Sequence, residues 1–220
     1  MNFNDEHLFE NFVAFEHNIA EVNSAIDFAR DQRNRLPLVI CSAGGNGATH
    51  LAQAVLHQIQ QEQNLSAEQV FHGSYESLMN KVRSLSSFEL PFLPTVEVLL
   101  IDSYYNWGKN KGALPIHFPQ HNLQKIIITC GLETPIPIPH QRIQLVCPSV
   151  EEQKVIIANY SQKHQEIPQT VIQFLAECGI SNVNALYGML NALYAESIRL
   201  NRKIDLETAK ITFENFKSFL

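Results

Sequence analysis

Apolar and polar positions fall along the chain in two successive patterns. Between Asn18 and Arg35, Ile19, Val22, Ile26, Phe28 and Ala29 recur close to helical spacing before a polar stretch and Pro37, which predicts a surface helix. Leu38-Val39-Ile40-Cys41 is a short apolar run that opens into Ser42-Ala43-Gly44-Gly45-Asn46-Gly47, and a periodic segment from Ala48 to Glu62 follows. This reads as strand, glycine-rich loop, helix. Further apolar runs predict strands at Gln69 to His72, Val96 to Ile101, Lys125 to Cys130 and Ile143 to Cys147, with a helical segment between the first two of these. Strands alternating with helices imply an α/β fold with a mainly parallel sheet covered on both faces.

After Pro148 only helical patterns remain, at Val150 to Lys163, Pro168 to Cys178, Val183 to Leu200 and Asp205 to Phe219. Gly179 suits a helix stop, and Ser181 and Asp205 suit helix starts. The chain therefore divides into an α/β part, residues 1–147, and a smaller helical part, residues 148–220. Pro135, Pro137 and Pro139 stiffen the loop before the fifth strand.

Composition narrows the classes. With 45% hydrophobic and 17% charged residues the chain is of globular type, and no stretch reaches the roughly 18 apolar residues of a membrane span. The N-terminus lacks a basic region followed by an apolar run, so the expected location is cytoplasmic. A formal charge of −6 argues against sequence-specific duplex DNA as a partner, since that affinity comes largely from neutralising phosphates. Cys41, Cys130, Cys147 and Cys178 show no C-x-x-C spacing and read as small core residues. Among the histidines only His117 and His121 stand four apart, and Pro119 between them breaks the helix a metal pair needs, so no metal site is expected.

A phosphate loop works because backbone N–H groups at a helix N-terminus form an anion nest, a lysine neutralises the β- and γ-phosphates, and a Ser/Thr hydroxyl ligates magnesium. In Ser42-Ala43-Gly44-Gly45-Asn46-Gly47-Ala48-Thr49-His50, Ser42 stands where the first glycine belongs and Ala48 replaces the lysine, while Gly47 and Thr49 remain. Val96-Glu97-Val98-Leu99-Leu100-Ile101-Asp102 has the form of a Walker B strand, with Ser103 in place of a second acid. Gly44, Gly45, Gly47, Ala48, Thr49 and Asp102 are thus the candidate vestigial nucleotide site. The alternative, a strand-to-helix turn that never bound phosphate with Asp102 as a cap, stays open.

Phe9-Glu10-Asn11-Phe12-Val13 followed by Asn18, then Gly45 to Leu51 with its Thr-His-Leu, Val98 to Asp102, Ile126 to Thr129, Pro148 to Ile157 and Ser181 to Gly188 occur in a characteristic order. Over nearly its whole length the chain resembles the DnaA/Hda-like family of AAA+ replication-initiator modules, in which these are the leading segment, P-loop, Walker B, sensor 1, lid start and sensor-2 helix. The resemblance implies an AAA+ P-loop fold, a five-stranded parallel sheet with a small C-terminal helical lid. It also places Asn184 where the family carries a sensor-2 arginine, and reduces the family's arginine-rich finger segment to Pro135 through Arg142. Arg142 is then either a finger remnant or a solvated strand-start arginine. Tyr104, Tyr105 and Trp107 form an aromatic cluster that either meets a partner or covers the sheet edge where Gly112, Pro115 and Pro119 interrupt the family's helix. With the chain stopping at Leu220 and starting near the leading segment, operator recognition and sliding-clamp tethering are not expected.

The resemblance with its departures implies a pseudo-ATPase that modulates replication initiation, or a related DNA-metabolism assembly, by contact with a DnaA-like initiator or another replication protein. No cofactor is expected beyond weak residual ATP or ADP binding. A weak nucleotide-binding switch is the alternative, and a single-stranded DNA-binding accessory, disfavoured by net charge, is the third reading.

Overall fold

Every residue of strand β1 (Leu38–Ser42) is buried, as the apolar run requires of a strand flanked on both sides in a covered sheet. In the computed structural model, which describes residues 7–83, 95–102, 123–136, 138–164, 166–180 and 182–219, β1 is paired with two neighbours. The aromatic cluster Tyr104, Tyr105 and Trp107, the histidines His117 and His121, and Ser103 and Ser181 lie outside the described residues.

With β2 (Val70–Ser74), β3 (Val98–Asp102), β4 (Lys125–Gly131) and β5 (Gln141–Leu145), the sheet has five strands in the order β2-β3-β4-β1-β5. All four pairings are parallel. Helices α1 (Ile19–Arg30) and α2 (Ala48–Gln63) bury Phe28, Leu51, Val55 and Ile59 against one face, together with Leu38, Ile40, Leu100 and Ile127. On the other face Val39, Cys41, Leu99, Ile101, Ile128 and Cys130 meet Leu78 of α3 (Tyr75–Arg83). By internal contacts the chain divides into Met1–Leu145 and Val146–Leu220. The second unit contains α4 (Val150–Lys163), α5 (Gln169–Glu177), α6 (Val183–Leu200) and α7 (Leu206–Phe216). Ser149 and Glu152 cap α4 reciprocally, and the Asp205 carboxylate accepts the Thr208 N–H to begin α7. Among the described residues no helix is long and apolar enough to cross a membrane.

Several local readings are corrected. Helix α1 ends at Arg30 rather than Arg35, because Asp31 Oδ1 accepts the Arg33 N–H at 2.9 Å and Asn34 Oδ1 accepts the Leu36 N–H at 3.0 Å. Two successive Asx turns take the backbone donors that a helix would use. Strand β5 runs from Gln141 to Leu145 instead of from Ile143 to Cys147, its start fixed by the Gln141 N–H on the Pro37 carbonyl at 2.8 Å. Cys147 is consequently exposed and Cys178 half-buried, so only Cys41 and Cys130 are core cysteines. Helix α6 is capped by Asn182, whose side chain accepts the Ala185 N–H at 2.8 Å.

Lys125, only 1% exposed, ties β4 to the end of α1. Its Nζ donates to the carbonyls of Phe28 (2.8 Å) and Asp31 (2.6 Å) and sits 4.1 Å from the Phe28 ring centroid. It thereby satisfies helix-end carbonyls that have no partner within the helix. Burial lowers its ammonium pKa, partly offset by Asp31. Lys125→Met is expected to lower the unfolding free energy by about 1–3 kcal/mol, the cost of leaving the buried Phe28 carbonyl without its donor, while the Asp31 carbonyl keeps the Asn34 N–H at 3.2 Å. Denaturant titration checks this, and an unchanged midpoint and slope would contradict it.

Candidate phosphate-loop site

The loop between β1 and α2 turns on glycines held in the left-handed region. Ser42, buried at the end of β1, accepts the Gly44 N–H on its hydroxyl at 3.2 Å. Gly44, Gly45 and Gly47 then take φ values of 99°, 69° and 88°. At Gly47 the requirement is double, since a Cβ there would also lie 3.0 Å from Cε2 of Phe12. The Gly47 carbonyl accepts the Leu51 N–H at 2.8 Å, so the helix begins immediately after the loop and its first N–H groups face the turn.

The side chains are less suited to a phosphate. Ala48 occupies the first helical position with its methyl group buried at 4% exposure, and it carries no charge. Asn46 is buried, and among the described residues neither its Nδ2 nor its Oδ1 has a hydrogen-bond partner. Thr49 Oγ1 donates to Asp102 Oδ1 at 3.0 Å, and Thr129 Oγ1 donates to the same oxygen at 2.5 Å. The structure thus places Thr49 and Asp102 within hydrogen-bond distance of each other and adds Thr129. Thr129 is fully buried, and its hydroxyl in the otherwise apolar run of β4 was the available signal for it. Taken together, the loop turns on positive-φ glycines at the start of α2, and none of its side chains from Ser42 to Thr49 carries a positive charge. Among the described residues no group of three His, Cys, Asp or Glu side chains is placed to hold a metal.

An open pocket of about 400 Å³ lies beside the loop, lined by Ser42, Ala43 and the stretch from Gly131 to Pro135. It sits beyond the carboxyl ends of β1 and β4, where parallel α/β sheets place ligands. Arg142 is exposed on β5, but its Nη2 donates to the Leu132 carbonyl at 2.5 Å, an engagement within its own chain. In the helical unit Asn184 is exposed in the first turn of α6.

His50 packs the leading segment onto α2. Its Nε2 lies 3.0 Å from the Leu8 carbonyl, and its ring meets Phe12 edge-on at 5.2 Å and His7 at 4.8 Å. Burial pushes its pKa below the usual 6.5, opposed by the Leu8 carbonyl. His72 is likewise pushed down by burial, with Asp102 opposing.

Two measurements follow from this geometry. Gly47→Ala is expected to cost about 1–3 kcal/mol, since alanine must adopt the left-handed region and displace Phe12; a melting temperature equal to the parent's would contradict it. With folded pKa values lowered, the unfolded state takes up protons first, so stability is full above about pH 6.5 and declines as pH falls through that value. Chemical denaturation across pH should show that decline, and His50→Gln should flatten it; a His50→Gln profile parallel to the parent's would contradict the assignment.

Residues 3–114 match the family described as the bacterial DnaA ATPase domain. The chromosomal replication initiator protein DnaA of Thermotoga maritima is 24% identical over 236 residues, covering 97% of this chain and 53% of its own length. The corresponding protein of Kosmotoga olearia is 25% identical, with 89% and 48% covered. The chain thus spans about half the length of the curated relatives it matches. Among solved structures, domain III of Thermotoga maritima DnaA superposes with a TM-score of 0.81 at 24% identity, covering 98% of this chain and 99% of that one. AMPPCP-bound DnaA from Aquifex aeolicus superposes with a TM-score of 0.70 at 17% identity, covering 90% and 68%. The five-stranded parallel sheet with its helices is therefore the AAA+ fold of DnaA domain III. On the matched residues and the shared fold, the chain belongs to the bacterial DnaA ATPase-domain family.

Proposed function

We propose that this chain is a non-hydrolysing DnaA-type module that modulates replication initiation, or a related DNA-metabolism assembly, through protein contacts. The observation that carries the reading is the buried methyl group of Ala48 at the head of α2, where the phosphate-binding lysine belongs. Without that charge, the loop offers only peptide dipoles, equivalent to roughly half an elementary charge at a helix N-terminus. Thr49 and Asp102, which would serve magnesium, are hydrogen-bonded to each other. Phosphoryl transfer depends almost wholly on positioning and charge stabilisation, so these losses fall on the terms that matter most.

The expected partner is a DnaA-like initiator. Arg142 is the one candidate finger that the family pattern leaves, and a trans-acting role would require it to release the Leu132 carbonyl. A partner module would therefore be docked without being stimulated, so that an oligomer is capped or blocked. A second reading, a weak nucleotide-binding switch, is favoured by the positive φ values of Gly44, Gly45 and Gly47, which keep the anion nest. Titration with labelled ADP separates the two readings.

The purified chain is expected to release no phosphate from ATP above a no-protein control, and Ala48→Lys alone should not create turnover, because an arginine finger is typically worth ~10³–10⁵ in rate. Mixed with its cell's own initiator, it should associate without accelerating hydrolysis. Intrinsic turnover abolished by Asp102→Ala, or stimulation abolished by Arg142→Ala, would overturn the proposal.

A further inference from the structure

Cys41 and Cys130 are directly opposite each other on the adjacent strands β1 and β4. Both are fully buried, both belong to the same apolar cluster on the face that α3 covers, and their sulfurs lie 3.2 Å apart. That separation is short for two thiols packed only as apolar groups and marks an S–H···S hydrogen bond. Direct neighbours across a parallel pair fall within the Cα separation that a disulfide bridges, so a small rotation of each side chain brings the sulfurs to bonding distance. The positions that follow are the ones the site depends on: Ser42 opens the glycine loop and Gly131 opens the stretch lining the pocket. Thr129, immediately before Cys130, holds Asp102 from the opposite face of the sheet.

We propose that Cys41 and Cys130 are a reversible dithiol–disulfide pair, oxidised by peroxide, that fastens the strand leading into the glycine loop to the strand carrying Thr129. The hydrogen bond from Cys130 lowers the Cys41 pKa to about 7 against the opposing effect of burial, with Arg142 adding a smaller favourable charge. The same bond, with burial, pushes Cys130 up; the sulfur that accepts the hydrogen bond is the nucleophile and the donor the resolving thiol, and Cys41 is assigned as the acceptor. The Cys41 thiolate attacks one oxygen of hydrogen peroxide, breaking the O–O bond; the sulfenic acid forms and hydroxide leaves, taking a proton to become water. The Cys130 sulfur then attacks the Cys41 sulfur and loses its proton, and the sulfenic oxygen departs as a second water. Two thiols are oxidised by two electrons and one peroxide is reduced to two waters.

Access is provided by what covers the pair. Leu132, Ile136 and Ile138 of the β4–β5 connection pack against this cluster, and the open pocket runs along Leu132 and Pro135. A connecting segment opens more readily than a strand or helix. Peroxide is little larger than water and needs only such a local opening.

The test uses the full chain carrying Cys147→Ser and Cys178→Ser, so that the exposed and half-buried thiols do not react. Hydrogen peroxide should remove two thiols titratable after denaturation, join the peptides holding Cys41 and Cys130, and be reversed by dithiothreitol. In the same background Cys130→Ser, whose hydroxyl can still donate to the Cys41 sulfur but cannot form a disulfide, should stop at a dimedone-reactive sulfenic acid on Cys41. Amide exchange of Gly44 to Gly47 should slow in the oxidised form by at least severalfold and recover on reduction. Survival of both free thiols at peroxide concentrations that sulfenylate the Cys130→Ser variant, or at concentrations that oxidise the exposed Cys147 of the parent chain, would overturn the pairing. A linked pair with unchanged exchange in the loop would overturn the fastening role.

Discussion

Asp102 Oδ1 accepts the hydroxyls of both Thr49 and Thr129, and through that one oxygen α2, β3 and β4 meet at the working end of the sheet. Hydrogen bonds to a carboxylate are worth roughly 1.5–3 kcal/mol each, and here both donors are supplied by elements whose own burial fixes them. The start of α2 is held down by Thr49, and the glycine loop is thereby held between two anchors, Ser42 at the end of β1 and Thr49. In this chain the two positions that the family motif assigns to magnesium are hydrogen-bonded to each other, forming a clasp.

Backbone shape and side-chain charge have parted company at this site. Three positive-φ glycines and a helix N-terminus keep the turn of a phosphate loop, whereas Ala48 supplies no cation and Asn46 leaves a buried carboxamide without a described partner. A nest fixes where an anion sits, but the developing charge of phosphoryl transfer needs full cations. On the proposed reading, the fold and any surfaces that recognise a partner are kept without the chemistry. Beneath the loop, Cys41 and Cys130 join the same two strands that the clasp and the loop use, which makes the thiol pair a second control on one structural unit.

The sheet was legible in the sequence because parallel strands buried on both faces become continuous apolar runs, as in Leu38 to Cys41 and Val98 to Ile101. The edge strand β5 was misplaced by two residues because only its inward positions, Ile143 and Leu145, are buried, and Val146 and Cys147 continue an apolar run without continuing the strand. The end of α1 was missed because Asp31 and Asn34 look like ordinary polar helix residues until their Asx turns form. Thr49 and Asp102 were found by motif, since spacing alone marks them. Thr129 ends the segment that resembles sensor 1, but its bond to Asp102 and the role of Lys125 were not legible, because their partners lie 27 and 94 to 97 residues away. The cysteine pair was equally invisible: Cys41 and Cys130 are separated by 89 residues and become neighbours only through the order of the strands.

The most direct test is calorimetric titration of the chain with ATP in the presence and absence of magnesium. A nest without a cation, with Thr49 and Asp102 engaged with each other, predicts that any binding is weak and that magnesium does not strengthen it. Tight binding that requires magnesium and is lost in Asp102→Asn would contradict the reading, because it would show that the clasp opens to hold a metal–nucleotide complex.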